Sequence, residues 1–270
     1  MEKRADIGIF GGSGFYNLLD HMQEVWVETP YGVPSDKIAL GTIKGKRVAF
    51  LPRHGKDHRF PPHRINYRAN AWAFKMLGVT RVIGPCAAGS LQPHVEPGHF
   101  VVSDQFVDRT SSRKDTFYDG PFTTHVSVAE PYCPELRKIA IEQGKKLGIT
   151  LHETGTIVVI QGPRFSTKAE SRWFTKMGWE VINMTQYPEV MLCKELDMCY
   201  TNIALITDYD AGLEGRDDIP AVTHEAVLEV FKANNDKLRN LLLAMIEQIP
   251  VEGERACPCK DTVRMGRAAE

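Results

Sequence analysis

The sequence predicts an α/β fold, a single domain with a mixed central β-sheet flanked by helices, and three observations carry that expectation. Short β-rich apolar runs crowd the first half of the chain, strands alternate with helix-period segments in the second half, and none of the 270 residues reads as a linker.

Residues 7–10 form a short apolar run ending at Gly11-Gly12-Ser13-Gly14, the pattern of a buried strand entering a tight glycine turn. Further strand patterns occupy residues 38–40, 48–51, 82–83, 100–102, 157–160, 181–182 and 203–206. Helices are expected over 67–77, 135–147, 168–177, 189–195 and 222–248. In the last of these, Val222, Val227, Val230, Leu238, Leu241 and Met245 recur at helical spacing, and only Asn234 interrupts the apolar stripe. Residues 1–250 are read as the folded domain. Residues 251–270 are a polar, small-residue tail holding Cys257-Pro258-Cys259.

A chain that is 43% hydrophobic and 25% charged can bury a large core. Its formal net charge of -1 excludes both a basic nucleic-acid footprint and an acidic tail, so the expected partners are small molecules or copies of itself. No apolar run is long enough to span a bilayer and the first residues lack a signal-peptide core, which points to a cytoplasmic protein without membrane partners. The six cysteines read as free thiols in such a compartment. Cys257-Pro258-Cys259 lacks the usual zinc-ligand spacing and no second pair follows it, so no metal is expected.

Six segments carry side chains suited to chemistry. Glycines at 11, 12 and 14 let the backbone approach an anion and the Ser13 hydroxyl can donate to a phosphate oxygen, although the same turn could be plain strand punctuation. Neither G-x-G-x-x-G nor a Walker A pattern is present. Arg53 and His54 follow a strand end, where an arginine fork can hold two phosphate oxygens and a histidine can add a donor. Gly84-Pro85-Cys86-Ala87-Ala88-Gly89-Ser90 could turn backbone N–H groups toward an anion or could serve close helix-on-sheet packing. Phe165 and Ser166 precede a helix, and the ring could stack on a flat base or pack in the core. Asn183-Met184-Thr185 offers an amide, a pliable apolar floor and a hydroxyl. Asp208 and Asp210 close the apolar run 203–206, placing two carboxylates where a buried strand opens to a ligand crevice and suggesting general acid chemistry or recognition of exocyclic amino groups.

These segments, in this order, resemble the purine nucleoside phosphorylase superfamily, and its methylthioadenosine phosphorylase branch in particular. The resemblance runs from about Ile7 to Asp210 and includes Asp36, Phe117-Tyr118-Asp119-Gly120, Ala129-Glu130-Pro131 and Gln161-Gly162-Pro163-Arg164-Phe165-Ser166. It implies phosphorolysis of 5'-methylthioadenosine to adenine and 5-methylthioribose 1-phosphate, with inorganic phosphate as co-substrate and no other cofactor. Ser13, Arg53, His54, the Ala87 backbone and Thr185 would hold phosphate. Asn183 and Met184 would meet the ribose side, Phe165 and Ser166 would line the adenine site, Asp208 would protonate N7 and Asp210 would accept from N6. An asparagine at the Asp208 position accompanies 6-oxopurines in the superfamily, so two aspartates imply a 6-aminopurine. A carboxylate accepts from an amino group but would meet a carbonyl acceptor to acceptor.

The resemblance further implies a homotrimer or a dimer of trimers in which His125 reaches a neighbour's 5'-pocket. His224 aligns where methylthio-specific members tend to be apolar, which adds adenosine as an alternative substrate, while Val227 is an apolar neighbour for a methylthio group; the alternatives within the same fold are a broader adenosine or purine nucleoside phosphorylase and a methylthioinosine phosphorylase. The cysteines of the tail, with Cys133, Cys193 and Cys199, are similar to those of heat-stable archaeal members, in which disulfides form.

Overall fold

Local signals fix where most elements begin. Asn66 accepts from the Ala69 N–H and starts α1 (Tyr67–Met76), while Pro134 stands in the first turn of α2 (Pro134–Lys146), where a missing N–H does no harm. Thr167 and Glu170 form a reciprocal capping box on α3 (Lys168–Lys176), and Thr223 caps α5 (His224–Gln248) through the Ala226 N–H. The computed structural model describes residues 4–11, 20–213, 216, 218–219 and 221–266.

The strands are β1 (Ile7–Gly11), β2 (Asp20–Val25), β3 (Ile38–Ile43), β4 (Lys46–Pro52), β5 (Arg81–Ser90), β6 (Phe100–Val101), β7 (Gln105–Arg109), β8 (Leu151–His152), β9 (Thr156–Ile160), β10 (Val181–Asn183) and β11 (Cys199–Asp208). The remaining helices are α4 (Gln186–Glu195) and α6 (Thr262–Gly266). Every strand and helix expected from the sequence is present. The additions are β2, β7, β8 and α6, which are short, polar or both, and so carry a weak periodic signal.

The mixed sheet is ordered β2-β3-β4-β1-β5-β10-β9-β7, with β11 on the other edge of β5 and β6 and β8 beyond it. Alternate side chains of β1 serve opposite faces: Phe10 packs with Phe74 of α1 and Leu192 of α4, and Ile9 packs with Leu238 and Leu241 of α5. No described helix is long and apolar enough to cross a membrane.

The sheet divides at β5. On one edge β1 runs parallel to it as far as Ile9 opposite Ile83, and β10 then meets it antiparallel at Ile182 opposite Gly89. Residues 84–88 therefore have no strand partner on that edge among the described residues, while β11 covers the whole opposite edge. Such a gap between strands leaving in different directions is where α/β sheets bind ligands. The small residues here lie inside β5 rather than in a loop after it, and packing demands them. A Cβ on Gly84 would stand 1.9 Å from the Tyr200 hydroxyl, and one on Gly89 would stand 2.8 Å from Asp208 Oδ1. Ala87 is the one exposed residue of β5 and faces the gap.

The tail is packed in place as far as it is described, with Cys257, Cys259, Thr262 and Val263 buried. All six cysteines are free thiols.

Candidate active site

The gap in the sheet opens into a cleft of about 870 Å³, the size of a small-molecule site. The carboxyl ends of β1, β4, β5, β10 and β11 supply its floor, and the first half of α5 forms one wall. Arg53, His54, Ala87, Phe165, Asn183, Met184, Thr185, Asp208, Asp210, His224 and Val227 all line it, so one cavity gathers residues scattered over the chain. Ser13 lies outside the described residues.

Arg53 differs from the expected open fork. Its Nε and Nη2 donate to Glu189 Oε2 and Oε1 at 2.6 and 2.7 Å, Nη2 also reaches the Phe10 carbonyl, and Nη1 donates to the Pro85 carbonyl. Of the five guanidinium donors, one Nη1–H remains for a ligand. Burial opposes the charge, but the Glu189 carboxylate outweighs it and raises the pKa, so Arg53 is a fixed cation beneath the cleft. Glu189 also accepts from the Tyr200 hydroxyl at 2.7 Å, and Gln186 joins that hydroxyl at 3.1 Å. Sequence reasoning missed this support. The signal was a single charge inside the apolar run Pro188-Glu189-Val190-Met191-Leu192-Cys193, which in a core requires an ionic partner.

His54 also presents different chemistry from the donor expected. Its Nδ1 lies 2.8 Å from the Phe60 carbonyl, which can only accept, so Nδ1 carries the proton and Nε2 offers a lone pair. Burial, followed by the charges of Arg53 and His58, pushes its pKa down to about 4, and its ring stacks on His58 at 4.3 Å. A folded-state pKa below the unfolded value of 6.5 stabilises the fold above pH 6.5, and that contribution is lost as pH falls toward 4. The stability advantage of the natural protein over a His54→Gln variant is therefore expected to shrink by about 2 kcal/mol between pH 7 and pH 4.5. Urea midpoints at the two pH values measure it, and a constant difference would contradict the neutral His54.

Thr185 precedes the first turn of α4, which extended backbone at Tyr187 separates from the regular helix beyond it, and it makes no cap hydrogen bond, which leaves its hydroxyl for a ligand. Asn183 lines the cleft with its amide already engaged, since Nδ2 donates to Cys86 Sγ at 3.4 Å and Oδ1 accepts from the Gln186 N–H at 3.5 Å. It shapes the start of α4 more than it offers groups to a sugar. Met184 approaches Gly162 so closely that a Cβ there would lie 2.6 Å from its sulfur, and Gly162 also needs its positive φ of 62°.

The two aspartates occupy the opposite side of the cleft. Asp208 ends β11 beside a bulge, accepting from the Thr207 hydroxyl at 2.7 Å and the Asp210 N–H at 2.8 Å. Burial raises its pKa more than those donors lower it. Asp210 is 3% exposed, has φ of 50° and holds Oδ2 buried with no hydrogen-bond partner. Ser166 Oγ likewise makes no hydrogen bond of good geometry, although it and Ser171 stand close enough to the Asp210 carboxylate to lower its pKa, which burial raises by more. Left-handed backbone at a non-glycine residue and unsatisfied polar atoms are both unfavourable, and their coincidence marks a place prepared for a ligand's polar groups. Phe165 is 39% exposed at the cleft wall, an available stacking face rather than core filling.

At the mouth, His224 begins α5, with Val227, Leu228 and Phe231 following it along the wall. His58 faces the same mouth. Leu228, Phe231 and His58 were not anticipated as cleft residues; of these, Phe231 belongs to the apolar stripe of the long helix. His125 is exposed on the segment between β7 and α2, is not part of this cleft, and has its N–H bonded to the Gly266 carbonyl.

Residues 6–247 match the phosphorylase superfamily. A purine nucleoside phosphorylase of Streptomyces coelicolor is 51% identical over 95% of this chain and 93% of that protein. An S-methyl-5'-thioadenosine phosphorylase of Thermofilum pendens is also 51% identical, over 96% of this chain and 97% of that protein. Among solved structures, a variant of adenosine/methylthioadenosine phosphorylase from Schistosoma mansoni in complex with methylthioadenosine superposes with a TM-score of 0.89. It has 36% identity and covers 97% of this chain and 98% of that one.

Proposed function

Because the chain belongs to the phosphorylase superfamily, we propose that its cleft carries out phosphorolysis of 5'-methylthioadenosine, releasing adenine and 5-methylthioribose 1-phosphate. The protein is a transferase of the pentosyl kind and uses inorganic phosphate as co-substrate. The observation that carries the purine assignment is the orphaned, buried Asp210 Oδ2 two residues beyond Asp208. An acceptor without a donor in a cleft of this size suits a 6-amino group and would repel a 6-carbonyl.

In this reading the remaining Nη1–H of Arg53, the Ala87 N–H, the Thr185 hydroxyl and Ser13 hold phosphate. Neutral His54 accepts a hydrogen bond from a phosphate P–OH through Nε2. Met184 lies under the ribose, with Asn183 beneath it, and Phe165 and Ser166 border the adenine. A phosphate oxygen bonds to C1' as the C1'–N9 bond breaks, and the bonding pair passes into the purine. Protonated Asp208 gives its proton to N7, neutralising the charge that builds there. Held between a bound anion and the departing base, the ribosyl cation is stabilised by position and electrostatics, and the chemistry calls for no further cofactor.

We assign residues 1–250 to the phosphorylase domain, and the protein to a cytoplasmic homotrimer or dimer of trimers in which His125 completes a neighbour's site. A broader purine nucleoside activity is the second reading, supported by His224 at the mouth, where an imidazole can pair with a 5'-hydroxyl. Product analysis with methylthioadenosine, adenosine and inosine, with and without phosphate, tests both. The expected result is phosphate-dependent adenine release, fastest from methylthioadenosine, slower from adenosine and weakest for inosine. Turnover without phosphate, or preference for inosine, would overturn the assignment.

A further inference from the structure

Four cysteines that the cleft does not use converge on one point. Cys133 precedes α2, Cys199 begins β11, and Cys257 and Cys259 flank Pro258 at the start of a short 3-10 turn in the tail. Their sulfurs all lie within 4.8 Å of one another and all four residues are buried. Cys199 Sγ and Cys257 Sγ are 3.2 Å apart. Cys257 and Cys259 have no second pair nearby in sequence, and the fold supplies one from two distant elements.

We propose that Cys133, Cys199, Cys257 and Cys259 form a closed tetrahedral zinc site that pins the C-terminal segment to the body of the protein. A tetrahedron with Zn–S bonds of about 2.3 Å has sulfurs about 3.8 Å apart, so all six spacings must be similar, and a cluster within 4.8 Å needs only small adjustment to meet this. Two disulfides would instead draw the sulfurs into separate bonded pairs of about 2 Å. Soft thiolates in a tetrahedral set select zinc, and binding displaces the four thiol protons to solvent.

A zinc tetrathiolate carries two negative charges, and cations stand ready nearby. Arg255 Nη1 is 3.8 Å from Cys199 Sγ, and Arg81 pairs opposite Cys199 in the sheet with its buried Nε lacking any hydrogen-bond partner; its Nη2 lies 4.0 Å from Glu135, a carboxylate that also faces Cys257 and whose charge these two arginines offset. The pinned segment leads directly into α6, whose Gly266 carbonyl accepts from the His125 N–H.

The test uses the full chain without an affinity tag, purified with a reductant and no chelator. Elemental analysis should find about one zinc per chain, and the denatured, chelator-treated protein should titrate as six free thiols. Cys259→Ser should lose the zinc, while Cys193→Ala, altering a buried cysteine outside the cluster, should keep it. Chelation should lower the Tm by about 5 °C or more and open Lys260 and Arg264 to trypsin. Should Cys259→Ser fail to fold, the zinc content of the natural protein decides. A metal-free protein overturns the site, whether it is lighter by two hydrogens per disulfide or carries four reactive thiols, and so does iron in place of zinc.

Discussion

Replacing Asp208 with asparagine is expected to lower kcat/KM for adenine release from methylthioadenosine by about a hundred- to ten-thousand-fold, the usual worth of a positioned general acid. The side chain is nearly isosteric and can still accept from the Asp210 N–H, while the rotatable Thr207 hydroxyl can turn to accept from the new amide. Folding should therefore survive and the loss should fall on kcat. Burial raises the Asp208 pKa above the ordinary carboxylate value, the direction a proton donor to a purine N7 requires. Steady-state rates beside a thermal melt separate the two contributions. An unchanged kcat in a folded variant would remove Asp208 from the proton transfer and leave the base to depart unassisted.

The second large effect concerns stability. Glu189→Ala strands the Arg53 guanidinium, which is 4% exposed and donates two hydrogen bonds to that carboxylate. Breaking a buried ion pair from one side costs about 3–5 kcal/mol, because the remaining charge can neither reach water nor find another anion. Tyr200→Phe, which removes one hydroxyl bonded to the same carboxylate, should cost only about 1 kcal/mol. Urea unfolding of both variants at neutral pH measures the contrast. Equal, small losses would mean that Arg53 finds a second anionic partner in the folded protein.

Much of the fold was legible in the sequence because its signals are local. Periodicity placed the strands at 7–10, 48–51 and 203–206 and the long helix α5 within a few residues, and the chemistry-bearing segments after them were recognisable because glycines and aspartates follow apolar runs. The run at 84–90 was harder to read, since small residues serve both an anion-facing backbone and close packing. Here they do the second by admitting Tyr200 and Asp208, while Ala87 is left facing the cleft.

By itself the sequence determined most of the elements, their order, the family, and many of the residues that line the cleft. Tertiary structure alone decided what those residues can still do. Arg53 and Glu189 are 136 positions apart, and their contact, together with the Phe10 and Pro85 carbonyls, takes four of the arginine's five donors. The Phe60 carbonyl fixes which nitrogen of His54 holds the proton, the split in strand pairing along β5 opens the cleft, and four cysteines on separate elements become one cluster. Hydrogen bonds, ion pairs and burial act through distance in space, so groups far apart along the chain acquire their partners, and their chemistry, only when the chain folds.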